Sequence, residues 1–194
     1  NKYDGWFFCQ GKVYTEPQFQ KLRLLYNKTF NENLKPKLNL ITPSKIPENT
    51  LGVNYRYINM YFTNDGKETP FKNIMSLEEF NKKYINEIEK SFDEGKYDKI
   101  YLACQHRIFF EECVKKFKDK LMYIELNRLE EHLWEIHRNV PILKEYTDVV
   151  TDITNLNSCK HLLISPSNMI FSLLYMNTNI SYEVFNFLEE TYTG

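Results

Sequence analysis

Apolar and polar positions alternate along this chain in two rhythms, and the changes between them mark its elements. From Ser76 onward Leu77, Phe80, Tyr84, Ile88 and Phe92 recur every three or four positions, which predicts an amphipathic helix with one buried stripe. Ser76 with Glu79 three residues on forms a capping box, and Gly95 stands where such a helix stops. Residues 51–57, 99–104, 121–126 and 161–164 are shorter and largely apolar, the pattern of strands covered on both faces. Helical spacing returns between them, with Phe109, Phe110, Cys113, Val114 and Phe117, then around 129–136 and 145–157. Ser165 is expected to cap a further helix, with Pro166 at its first position and an end near Asn177. Ser181 is expected to cap a last helix holding Tyr182, Val184, Phe185 and Leu188. Strands separated by helices predict an α/β fold, a doubly wound and mostly parallel sheet of Rossmann-like type.

The stretch 34–50 is spaced by Pro36, Pro43 and Pro47 and reads as a connection. It divides residues 1–50, an N-terminal segment and linker, from residues 51–194, which hold the alternating pattern. Composition narrows the function classes. With 25 Lys+Arg against 26 Asp+Glu the formal charge is −1, so no broad positive field draws in a phosphate backbone and nucleic acid is not an expected partner. The longest apolar stretch, 162–176, is interrupted by Ser165, Pro166, Ser167 and Asn168 and falls short of the roughly 20 residues of a membrane span. Cys9, Cys104, Cys113 and Cys159 form no CxxC pair, which fits a reduced chain and, with no leader pattern at residue 1, a cytoplasmic location. Neither GxGxxG nor GxxxxGK[ST] occurs, so the usual dinucleotide and P-loop chemistries are disfavoured.

In a doubly wound sheet ligands gather outside the carboxyl ends of the strands. The positions to inspect are therefore Arg56 to Asn59, Gln105 to Arg107, Glu125 to Asn127 and Ser165 to Asn168. Arg56 lies in an apolar and aromatic strand, where a guanidinium needs either an ion-pair partner or a phosphate. Ser167 and Asn168 offer hydroxyl, amide and helix-terminus donors that suit an anion or serve only to cap the helix. Asp152 interrupts an apolar helical face and can hold a sugar hydroxyl, a base edge or a neighbouring element. His106 is an acid or base by type, with no partner assigned by the sequence.

The same positions carry a resemblance. Cys159-Lys160-His161-Leu162-Leu163-Ile164-Ser165-Pro166-Ser167-Asn168, continuing through Phe171-Ser172 to Asn177, resembles the "CKH-hydrophobic-(A/S)-x-S-x-F-S" signature of α-1,2-fucosyltransferases. Asp152-Ile153 followed by Leu156 and Ser158 is similar to the pattern that precedes it there and in the related α-1,6 enzymes. Residues 51–56 fall where these families carry "V-H-x-R-(R/G)-x-D", and 100–103 where they carry a strand ending in paired aspartates. Gly5-Trp6-Phe7 with Lys12 to Tyr14 is similar to their "GYFQSxKYF" segment. The resemblance implies a GT-B type glycosyltransferase that moves fucose from GDP-fucose to a glycan hydroxyl with inversion, this chain holding the donor half. Residues 1–50 would then be the remnant of an acceptor-side domain. Arg56 would neutralise the diphosphate, with Asn54, Asp152, Ser167 and Asn168 completing donor binding, and no cofactor or metal is implied. For the base that deprotonates the acceptor, the loop after Arg56 offers Asp65 and Glu68.

The chain departs from the family at telling places. Asn54 stands for the motif's His, Asn59 for its last Asp, and Gln105-His106 for the paired aspartates. These losses leave a second expectation open: a catalytically degenerate module of the same fold that binds a nucleotide sugar or a partner.

Overall fold

The computed structural model describes residues 7–9, 12–14, 16–33, 44–57, 76–126, 128, 142–165 and 167–185. Its centre is a sheet of five parallel strands: β3 (Thr50–Tyr55), β4 (Lys99–Cys104), β5 (Leu121–Met122), β6 (His161–Ile164) and β7 (Ser181–Val184), in the order β5-β4-β3-β6-β7. Before it come an antiparallel pair, β1 (Phe7–Cys9) and β2 (Lys12–Tyr14), and the helix α1 (Glu16–Asn33). The remaining helices are α2 (Leu77–Asp93), α3 (Arg107–Phe117), α4 (Ile142–Asn157) and α5 (Asn168–Met176). This is a doubly wound, Rossmann-like α/β fold.

The two-residue period of the strands sorts the core into two layers. Leu51, Val53 and Tyr55 of β3, with Ile100, Leu102, Cys104 and Leu163, meet Phe80, Tyr84 and Ile88 of α2 and Phe109, Cys113 and Phe117 of α3. Tyr101, Ala103, Leu162 and Ile164 point the other way, against Phe19 of α1, Leu156 of α4 and Ile170, Phe171, Leu173 and Leu174 of α5. The run Thr50–Tyr55 is buried throughout because both of its faces are covered. Gly52 is required there: a Cβ would lie 2.5 Å from Leu162 Cδ2 and 3.1 Å from Cys159 Cβ. On the second layer Arg23 of α1 donates from Nε to Leu174 O and from Nη2 to Asn177 O, and Asn27 donates to Tyr175 O and Met176 O. The free carbonyls at the end of α5 thus find their donors on α1.

The capping box behaves as the pattern requires: Ser76 Oγ accepts from Glu79 N at 3.2 Å, and Gly95 takes φ +67° just past α2. Three expectations are corrected. The helix after β6 begins two residues later, with Ser167 as its cap; Ser167 is extended and its Oγ accepts from Ile170 N at 3.3 Å. Ser165 instead prolongs the sheet, its N–H bonding Asn54 O at 2.9 Å. The third strand pairs only at Leu121 and Met122 rather than through 126. Residues 181–184 form the edge strand β7, parallel to β6, and not a helix. There Tyr182 and Val184 alternate onto the second layer while Phe185 reaches the first, a strand period that wins because β6 offers an open edge. Asn59, Asp65, Glu68, Asn127, Pro166 and the helix expected around 129–136 lie outside the described residues, as do residues 1–6 and 34–43. Among the described residues no helix is long and apolar enough to cross a membrane.

Candidate functional site

The chain leaves β3 towards β4 on one side, while β6 lies on the other. α2 and α3 cover one face and α4 and α5 the opposite one. A crevice at the carboxyl ends of β3 and β6 follows from that reversal, and it is the place where open parallel sheets take their ligands. Asn54, Arg56 and Ser167 are brought to it.

Asn54, the next-to-last residue of β3, is 4% exposed. Its Oδ1 accepts from Ser167 Oγ at 3.5 Å, and its carbonyl accepts from Ser165 N and from Tyr84 Oη at 2.8 Å. The side chain and backbone of one residue therefore tie β3, β6 and α2 together where the crevice opens. Arg56, just beyond the strand, is half-buried, and Nη1 donates to Gln105 Oε1 at 3.3 Å. No carboxylate pairs with it among the described residues. Burial alone pulls its pKa below the usual arginine value, which leaves the guanidinium charged at neutral pH. Arg56 thus presents a partly desolvated positive charge at the switch point, with no carboxylate partner among the described residues and the first turn of α5 on the other side. Asn168 is the first residue of that turn.

Asp152 takes a different place. It is 6% exposed on α4, and Tyr101 Oη in mid-β4 donates to its Oδ1 at 2.7 Å. Asn155 Nδ2 donates to the same hydroxyl at 2.9 Å, and Asn155 Oδ1 accepts from Ser44 N at 3.0 Å. The network spans α4, β4 and the segment entering β3. Loss of solvent pushes the Asp152 carboxyl up to about 7, opposed by the Tyr101 hydrogen bond and by the Arg128 charge. Its immediate partners are therefore protein groups on the second layer.

His106 is 1% exposed, and its Nδ1 accepts from Phe109 N at 3.3 Å as the cap of α3. Burial lowers its pKa, so the imidazole stays neutral with Nδ1 as an acceptor. That is the work of a helix cap. His106 is therefore a structural residue here. Gln105 beside it keeps contact with Arg56.

Compared with known proteins, the sequence matches no family model and no curated protein.

Two participants escaped the sequence reading. Tyr101 is one; a tyrosine in an apolar strand shows no sign that its hydroxyl holds a carboxylate. Arg128 is the other, a guanidinium 6% exposed after the carboxyl end of β5 and stacked on Phe110, with its Cζ 3.4 Å from the ring centroid. Among the described residues no group of three or more His, Cys, Asp or Glu is placed to hold a metal.

Proposed function

We propose that the chain is the donor-binding part of a fucosyltransferase-like glycosyltransferase, taking GDP-fucose and transferring fucose to a glycan hydroxyl with inversion. The observation that carries this reading is Arg56: a half-buried guanidinium at the switch point of a parallel sheet, with no carboxylate partner among the described residues. A diphosphate supplies the missing negative charge, and the preference of arginine for bidentate phosphate contact suits it to the role. Ser167 and the α5 N-terminus add donors from the opposite side of the crevice.

In this reading the acceptor oxygen attacks the anomeric carbon of fucose as the bond to the β-phosphate oxygen breaks. The acceptor loses its proton to a carboxylate for which Asp65 and Glu68 remain the candidates. Negative charge grows on the departing diphosphate, and the role proposed for Arg56 is to stabilise that growing charge. Arginine and helix terminus supply the neutralisation, so the scheme calls on no divalent ion. A cytoplasmic location belongs to the same proposal and draws on the free, buried Cys104, Cys113 and Cys159.

Asn54 favours a second reading, a non-catalytic module that binds a nucleotide sugar or a partner. In the resemblance it stands for the motif's histidine, and it is buried and committed to Ser167, Ser165 and Tyr84. Thermal unfolding with GDP, GDP-fucose and UDP, followed by a fucose-transfer assay on a glycan panel, separates the two. A midpoint raised by the guanine nucleotides together with transfer supports the enzyme. A raised midpoint without transfer supports the module, and no rise with any nucleotide removes both as nucleotide-binding readings.

A further inference from the structure

We propose that Arg128 forms a second oxyanion subsite, at the carboxyl end of β5 and separate from Arg56. Arg128 is nine-tenths buried, yet no carboxylate forms an ion pair with it among the described residues. Its Nη2 donates to Ile124 O at 2.8 Å, its guanidinium lies against Phe110, and Tyr123 stands 5.3 Å away. Its Nε is buried with no hydrogen-bond partner among the described residues. Arg107 at the start of α3 steadies the position, donating from Nη2 to the Arg128 carbonyl at 3.4 Å.

Buried charges in folded proteins are paired, because an uncompensated one carries its full desolvation cost. The aromatic faces offset part of that cost. The charges of Glu125 and Asp152 act on Arg128 only through space, with no ion pair among the described residues, and the Asp152 carboxyl already accepts from Tyr101. A directed N–H is left over, in a guanidinium whose fork matches the oxygens of a phosphate or carboxylate. The strand order β5-β4-β3 sets this group two strands from Arg56, about 10 Å of sheet width. The two guanidiniums therefore serve different oxyanions or different parts of one extended ligand. The subsite stands on its own geometry and does not depend on the donor being GDP-fucose.

The test follows the arginine Nε–Hε signals of the ¹⁵N-labelled full chain by NMR. Inorganic phosphate, and separately GDP, is titrated at fixed pH and ionic strength against a chloride control. The expected result is a saturable shift of the Arg128 signal with phosphate, retained in Arg56→Ala. Phosphate affinity, read from the ligand-induced rise in unfolding midpoint, should fall at least tenfold in Arg128→Lys, which keeps the charge and loses Nε. If GDP moves the Arg128 signal with the same Kd as that of Arg56, the nucleotide's own phosphate fills the subsite. If phosphate alone moves it, the subsite takes a separate anion. An Arg128 signal that neither ligand moves, or that chloride moves equally, overturns the proposal. The wild-type signal decides this even if the lysine variant does not fold.

Discussion

Replacing Asp152 by asparagine keeps its shape and removes its titration. In the folded chain its carboxyl is raised from 3.8 to about 7, first by burial, against the opposing pull of Tyr101 and Arg128. A raised carboxylate means that the folded state holds its proton more tightly than the unfolded chain. The resulting stability is fully present below pH 4 and is lost as pH climbs through 7. Each pH unit between the two values changes stability by about 1.4 kcal/mol. From pH 5 to pH 8, where the change levels off above the folded value, the wild type should lose roughly 2.6 kcal/mol through this group. Other titrating groups are shared by the two proteins and cancel in the difference. Urea unfolding of wild type and Asp152→Asn at pH 5, 6, 7 and 8 isolates the effect. The stability of the variant minus that of wild type should rise by that amount, most steeply between pH 5 and 7. A flat difference, or one that falls with pH, would refute the reasoning: Asp152 would then be charged in the fold at pH 5, held there by Arg128.

Gly52→Ala sets a methyl 2.5 Å from Leu162 Cδ2 and 3.1 Å from Cys159; equilibrium unfolding should show a loss of about 1–3 kcal/mol, the cost of overpacking a filled core. Arg23→Ala removes the donors to Leu174 O and Asn177 O and should cost about 2 kcal/mol, with hydrogen exchange rising first at the α1–α5 contact. Ser76→Ala removes the cap of α2 and should cost about 1 kcal/mol, again by urea unfolding, without a change in m-value.

Much of the fold was legible because local pattern and tertiary burial agree. Lys99–Cys104 and His161–Ile164 have the bounds read from sequence, since a short apolar run between turn signals and covered on both faces admits few alternatives. Ser76 and Gly95 announced α2 through chemistry that acts within one turn. The last element failed for a tertiary reason: Ser181 is a sound helix cap in isolation, but β6 presents an unpaired edge and Tyr182 and Val184 fit it at strand spacing. Ser165 failed similarly, because its N–H is claimed by Asn54 across the sheet.

The site was legible where a residue type conflicts with its surroundings. Arg56 among apolar neighbours declared itself, and so did Asp152 on an apolar helical face. Their partners did not. Gln105 reaches Arg56 through the register that sets Tyr55 beside Cys104, and Tyr101 meets Asp152 from 51 residues away in the chain. Arg128 lies in the polar stretch Glu125-Leu126-Asn127-Arg128-Leu129-Glu130 and reads there as an ordinary surface residue. Only its stacking on Phe110 reveals a buried cation.

The central claim is that Arg56 holds a nucleotide diphosphate at the switch point, and calorimetric titration of GDP into wild type and Arg56→Ala tests it most directly. The account predicts saturable binding to wild type, at least tenfold weaker binding to the variant, and unchanged unfolding of the variant without ligand, because Arg56 bonds only Gln105 among the described residues. Equal GDP affinity in the two proteins, or no binding to wild type, would contradict it.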